Sequence, residues 1–228
     1  SKIECQYYHA DVNMDESVNV MDVLILINWI LYDTTPYAYD IDGNVYNIIN
    51  IGSQSWMKED LRVTHYKNGD EIPGNHTGIE WVELTSGAYS VYNNNPLNAI
   101  MYGNLYNYYA VDDERGLCPE GWHVPSDSDW NTLVIYLDPN ASIDAVGLQS
   151  DIAGGMLKET GTLEDGDGYW HAPNEGATNE TLFSARGGGF RNGTSSGHYL
   201  YMGLSNYYWT STEFSNNESS LRNPNASN

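Results

Sequence analysis

Residues Pro119–Leu137 read PEGWHVPSDSDWNTLVIYL, and the pattern changes at Ser126. Upstream, proline and glycine punctuate the chain. Downstream, Trp130, Leu133, Val134 and Leu137 recur at helical spacing. Ser126 is followed three residues later by Asp129, so each side chain can accept from the other's backbone amide as a helix start requires. This spacing predicts the one clear amphipathic helix of the main domain. Working outward, the neighbouring segments are short and broken by Gly, Asn and Trp: HYKNGDEI, NLYNYYAV, GGMLKETGT, WHAPNEGATN, FSARGGGFRNG and YYWTSTEF. The Asp42-Gly43-Asn44 and Asn68-Gly69 steps are tight-turn signals. One helix among many short strands predicts an α+β fold that is loop-rich and mostly antiparallel. The count of 19 Tyr, 7 Trp and 22 Gly agrees with that class.

The chain has 228 residues, with 9 basic and 31 acidic side chains and a formal charge of −22. Such a surface repels phosphate backbones and anionic lipid, which argues against nucleic acid and membrane-surface partners. It suits divalent cations. The longest apolar run, Val23 to Tyr32, is interrupted by Asn28 and is too short to span a bilayer, so no membrane insertion is expected. The chain begins at Ser1 without a visible signal-peptide pattern and reads as a processed or trimmed chain. Cys5 and Cys118 are its two cysteines. Such a count allows one disulfide without demanding it. Six Asn-x-Ser/Thr sites, at Asn75, Asn140, Asn179, Asn192, Asn217 and Asn225, permit glycosylation.

Near the N-terminus, ADVNMDESVNVMDVLILINWILYD begins at Ala10. Asp11, Asn13, Asp15, Asn19 and Asp22 occupy positions 1, 3, 5, 9 and 12 of a twelve-residue loop, and the Ser17 carbonyl falls at position 7. Ca²⁺ wants six to eight oxygens, and this spacing delivers them. The segment resembles a single dockerin repeat. Glu16 stands where glycine usually eases the turn, and no second repeat is found. The helix that follows is apolar on nearly every side, so Leu24, Ile27, Trp29 and Leu31 need cover. Thr34-Thr35-Pro36 reads as a linker. The expected division is therefore a calcium loop and helix over 1–36 and a main domain over 37–228.

The main domain carries a second resemblance. DGNVYNIINIGSQSWMKEDL, YGNLYNYYAV, LCPEGWHVPSDSDW, GGMLKETGT, PNEGATN and YWTSTEF are similar, in order, to the Fibrobacter succinogenes major paralogous domain family, from about Tyr39 to Phe214. The resemblance implies a bacterial, exported protein. It also implies a fold related to C-type lectin-like domains and formylglycine-generating enzymes. That family usually closes with a Gly-Phe-Ser-Val-Arg-Cys-Val strand, whereas this chain ends SSLRNPNASN. Cys118 then lacks its usual partner and could bridge to Cys5, or the closing segment lies beyond the chain. A sheet without its closing strand leaves an edge that another chain can fill.

Catalytic patterns are missing from the sequence. His9, His65, His76, His123, His171 and His198 have no metal-type spacing, and His123 and His171 read as hydrogen-bonded structural residues. Cys118 has no nearby second cysteine for formylglycine-type chemistry. Ala172-Pro173-Asn174-Glu175 and Trp130-Asn131-Thr132 only partly match sugar-binding lectin signatures, which argues against calcium-dependent sugar binding there. The Ala185–Phe190 stretch ARGGGF lacks a phosphate-loop Lys and reads as a turn. Trp122, Trp130 and Trp209 read as core. The expectation is a non-catalytic secreted or cell-surface interaction protein that binds Ca²⁺ and assembles with itself or a surface partner. The alternative is an extracellular glycan-binding module. Replacing Asp15 and Asp22 together by Ala is expected to abolish Ca²⁺ binding, because each supplies charge that water cannot replace. Titration calorimetry of the double variant checks this, and an unchanged affinity refutes the loop.

Overall fold

The structure, a computed structural model, describes residues 19–20, 23–24, 37–143, 149–194, 196–215 and 218–222. The chain divides into two units, Ser1–Tyr37 and Ala38–Asn228. In the first, Val20, Val23 and Leu24 are helical and exposed.

The helix read from Ser126 is present as α4, Asp127–Leu137. The Ser126 hydroxyl accepts from the Asp129 amide at 3.2 Å, and the Asp129 carboxylate accepts from the Ser126 amide at 2.7 Å. Trp130, Leu133 and Leu137 form its buried stripe. Among the described residues of the second unit, three shorter α-helices precede it: α1 Gly78–Glu83, α2 Pro96–Tyr102 and α3 Tyr108–Val111. One more, α5 Ala153–Leu157, follows. Their caps stand in the sequence. Thr77 and Glu80 make a second capping box, and Asn95 caps a helix that opens with Pro96. At four to seven residues, none is long enough to display an apolar period.

Strands β1 Tyr37–Tyr39, β2 Val45–Ile51 and β3 Gln54–Met57 form a three-stranded sheet in that order, with β3 at an edge. The turn entering β2 is built on Asp40, which is buried. One oxygen accepts from the amides of Asp42 and Asn44, and the other accepts from the Tyr46 hydroxyl at 2.6 Å. The β2–β3 hairpin turns at Gly52-Ser53. Gly52 has a φ of 61°, and a Cβ there would meet the Tyr136 ring of α4 at 2.8 Å, so only glycine fits. The other sheets are antiparallel pairs: β4 Tyr89–Ser90 with β5 Leu105–Tyr106, β6 Phe190–Arg191 with β7 Tyr199–Leu200, and β8 Tyr208–Ser215 with β9 Glu218–Arg222. The expected α+β class with short antiparallel strands is thus present.

Two clusters make the core. The larger joins β3 to α4 and α5 through Trp56, Trp130, Leu133, Leu157 and Phe183. The Trp56 and Trp130 rings lie 4.9 Å apart, and Phe183 meets Trp56 at 5.9 Å and Trp130 at 6.2 Å. Each such pair contributes about 0.5–1.5 kcal/mol beyond simple burial. The smaller cluster gathers Val63, Tyr66, Ile72, Ala110 and Leu117. The stretch Ala185–Phe190 corrects its reading as a turn. Ala185 bridges Lys158, Gly189 bridges Asn206, and Phe190 begins β6. Its three glycines are buried, and at two of them neighbouring backbone leaves no room: a Cβ on Gly187 would lie 2.8 Å from Gly203, and one on Gly189 would collide with the Leu200 carbonyl.

Candidate functional site

The second unit holds an open cleft of about 1180 Å³. That is larger than the ~300–1,000 Å³ usual for a small-molecule pocket. Trp122, Tyr108, Tyr207, Trp209 and Phe190 line it as half-buried rings, and Tyr109 is exposed. Aliphatic groups of Met57, Leu61, Val82, Leu84, Val111 and Val124 complete the walls. Trp122 and Trp209 were read as core; the structure instead places both in the cleft wall. Trp209 Nε1 donates to the Tyr106 carbonyl at 2.9 Å, which fixes that ring. Trp130 is core, as expected.

All four residues of β3 line the cleft. The pairing of Ile51 with Gln54 across a two-residue turn makes that pair hydrogen-bonded, and Ile49–Trp56 is the next such pair. The Lys58 amide continues the ladder to the Asn47 carbonyl at 2.8 Å. Ser55 and Met57 therefore direct their amides and carbonyls away from β2, toward the open edge. Among the described residues, no backbone hydrogen bond to another segment occupies that edge. Close by, Gln54 Oε1, Trp56 Nε1 and Trp130 Nε1 are enclosed without a hydrogen-bond partner.

The ionisable groups of the cleft are few. Burial pushes the Asp60 carboxyl up to about 7, against the opposing pull of the Arg186 charge and a hydrogen bond from the Tyr208 hydroxyl. Arg186 itself is held by Glu159, at 2.6 Å from Nε, and donates to the Met101 carbonyl at 2.9 Å. Burial also pushes the Cys118 thiol up to about 12, so it stays protonated at neutral pH. His123 is exposed and meets Asp129 at 3.3 Å. The Asp129 carboxylate is held below its usual range, chiefly by the Ser126 hydroxyl. On another wall, Arg191 is 8 % exposed and lies between the Trp81 and Tyr199 rings.

Comparison with known protein families finds that the Fibrobacter succinogenes major domain matches residues 49–225. The chain belongs to that family. No curated protein and no solved structure matches it. In this Fibrobacter succinogenes major domain, the matched span contains every segment that lines the cleft, from Gln54 to Trp209. It begins within β2 and ends beyond β9.

Several sequence-based site residues lie outside the described residues: Asp11, Asn13, Asp15, Ser17 and Asp22 of the calcium loop; Ile27, Trp29 and Leu31 of the apolar helix; and Cys5. Asn19 forms a bend, and Leu24 is helical and 51 % exposed. Cys118 is a free thiol on the cleft wall. His171 meets Glu164 at 2.6 Å, as expected of a hydrogen-bonded histidine. Asn174 of the partial lectin signature directs its amide to the carbonyls of Glu159 and Gly161 at 2.9 and 2.8 Å. Among the described residues, no group of three or more His, Cys, Asp or Glu side chains is placed to hold a metal ion. Sequence reasoning missed Asp60 and Arg191, because only the fold encloses them.

The Asp60 carboxyl gives the domain a pH signature. Its value in the fold lies above that of an exposed Asp, so its proton stabilises the native state fully below pH 4. That contribution is lost as pH rises through 7. Asp60→Asn is expected to remove this dependence. Relative to the unaltered chain, it should gain up to about 4 kcal/mol at pH 8 and little at pH 4. Urea unfolding at a series of pH values checks the crossover.

Proposed function

We propose that this family member is a non-catalytic interaction module of a secreted or cell-surface bacterial protein, and that its cleft takes an extended polypeptide segment. The observation that carries the reading is the β3 edge inside the cleft. An unpaired edge offers main-chain hydrogen bonds, while pockets on either side select side chains, which is how strand addition works. The aliphatic wall suits a peptide better than a sugar. The free Cys118 thiol is held protonated, so it supplies no activated nucleophile.

The same proposal includes the C-type lectin-like architecture implied by the sequence resemblance and a dockerin-like loop that binds Ca²⁺ through Asp11, Asn13, Asp15, Ser17, Asn19 and Asp22. It also includes self-association, with Leu24, Ile27, Trp29 and Leu31 as apolar surface to be covered. Heterologous contacts between copies need not close, so they would build a filament or array. Sedimentation of the full chain with calcium, beside a chain lacking residues 1–36, tests that part. Identical monomeric behaviour at high concentration removes it.

A second reading, glycan binding, is favoured by the half-buried Trp122, Trp209 and Tyr108 rings, whose faces can stack on sugars. Ser55→Pro separates the two. Proline removes an outward amide of β3 and leaves the ladder bonds at Gln54 and Trp56 in place. With peptides selected by the full chain from a displayed random library, Ser55→Pro is expected to weaken binding at least about tenfold, the worth of one lost hydrogen bond. Bound peptide should also protect the Ser55 and Met57 amides from exchange. Selected peptides that leave those amides unprotected, or a glycan ligand whose affinity survives Ser55→Pro with no peptide selected, overturn the polypeptide reading.

A further inference from the structure

Among the described residues, Arg191 is a cation without a counter-charge within ion-pair distance. Its side chain is more than nine-tenths buried, and burial lowers the proton affinity of its guanidinium. Nε donates to the Gly197 carbonyl at 3.1 Å, and Nη2 donates to the His76 carbonyl at 2.7 Å. The Trp81 and Tyr199 rings lie 4.6 and 4.8 Å from the guanidinium carbon. Nη1 has no acceptor.

Arg186 is paired with Glu159, and the more exposed Arg115 with Asp113 and Asp70. Half-buried Arg62 donates to Asn44 Oδ1 and buried Lys158 to the Glu175 carbonyl, and like Arg191 they have no ion pair among the described residues. Among the described residues, no carboxylate lies within ion-pair distance of Arg191, in a chain that carries 31 acidic side chains. A buried charge is costly to maintain, and proteins normally pair it or neutralise it. An arginine remains charged, so two carbonyls and two ring faces leave its charge uncompensated. The residue lines the cleft together with Gly193 and Thr194 of the turn that follows it.

We propose that Arg191 anchors a carboxylate of the polypeptide that enters the cleft. The inference rests on the cleft reading above and names the chemistry that the occupant brings. Two ring faces and two carbonyls fix the plane of the guanidinium, and Nη1, enclosed in this structure, lacks the acceptor that an incoming group would supply. Planar guanidinium–carboxylate pairing matches that geometry. A monoanionic carboxylate is also the acid that a protein of charge −22 repels least. The carboxylate comes from a chain terminus or from an Asp or Glu side chain.

The test uses the full chain and four probes: N-acetyl-tyrosine, its neutral amide, N-acetyl-aspartate α-amide and galacturonate. Binding is followed by ¹⁵N chemical shifts of cleft residues and of the Arg191 Nε–H group. At least one of the two amino-acid carboxylates is expected to bind tenfold or more tightly than N-acetyl-tyrosinamide and to move the Arg191 signal. The stronger of the two tells a terminal from a side-chain source. Arg191→Met should bind acid and amide equally, and Arg191→Lys should retain a reduced preference. Thermal melting reports whether each variant is folded. If Arg191→Met is not, the Lys variant and the Arg191 Nε–H shift decide. Equal binding of acids and amide to the unaltered chain overturns the inference while leaving the cleft reading intact. So does a preference that survives in Arg191→Met, or an Arg191 signal unmoved by the acids. Arg191-dependent binding of galacturonate alone overturns the polypeptide assignment. Cleft signals unmoved by every probe remove the cleft reading and this inference together.

Discussion

The contact between Trp56 and Trp130 holds the second unit together. Trp56 comes from the edge strand β3 and Trp130 from the first turns of α4, and their rings lie 4.9 Å apart. Phe183 and Tyr208 close around Trp130, the latter at 5.4 Å. Three distant segments thus converge on one indole. The same contact sets the cleft. Because Trp56 is committed inward, the strand that carries it is fixed with its outer edge beside the open space. The N-terminus of α4 is tied in turn to β8, where the Asp127 amide donates to the Thr212 hydroxyl at 3.0 Å and the Ser211 amide to the Pro125 carbonyl at 3.0 Å.

Against that aromatic frame, the few cations serve as internal fasteners. Arg62, Arg115, Lys158, Arg186 and Arg191 each sit over a tyrosine or tryptophan ring. In a chain with 9 basic residues this is a large share, and it explains how the surface can remain so acidic. A ring face offers partial negative charge without a carboxylate's hydration shell, so a cation can be covered at lower cost. Arg186 and Arg115 add carboxylate partners; among the described residues, Arg62, Lys158 and Arg191 have none within ion-pair distance.

Parts of this structure are legible from sequence because their causes are local. Ser126 and Asp129 lie three residues apart, so the cap of α4 and its buried stripe can be read directly. The Asp42-Gly43-Asn44 turn is likewise local, although the role of Asp40 is not, since its partner Tyr46 lies across the turn. The class of fold and the family follow from ordered motifs. The cleft does not. Trp122 and Trp209 resemble any other core tryptophans in one dimension, and only the packing of Trp130 and Phe183 shows which rings are left at the wall. Asp60 and Arg191 are ordinary charged residues in sequence. Their character comes from neighbours up to 126 residues away, such as Arg186 and His76. The stretch Ala185–Phe190 misleads because glycine signals turns more often than close-packed backbone.

The β8–β9 pair shifts register between Trp209 and Glu213 and again between Glu213 and Ser215. A strand so bent does not lie flat against a neighbour. The β3 edge is different: four residues long and lining a cleft. If the proposed strand addition holds, such a recessed edge would take one extended chain, while the cleft walls would hinder the stacked sheets through which exposed edges propagate aggregates.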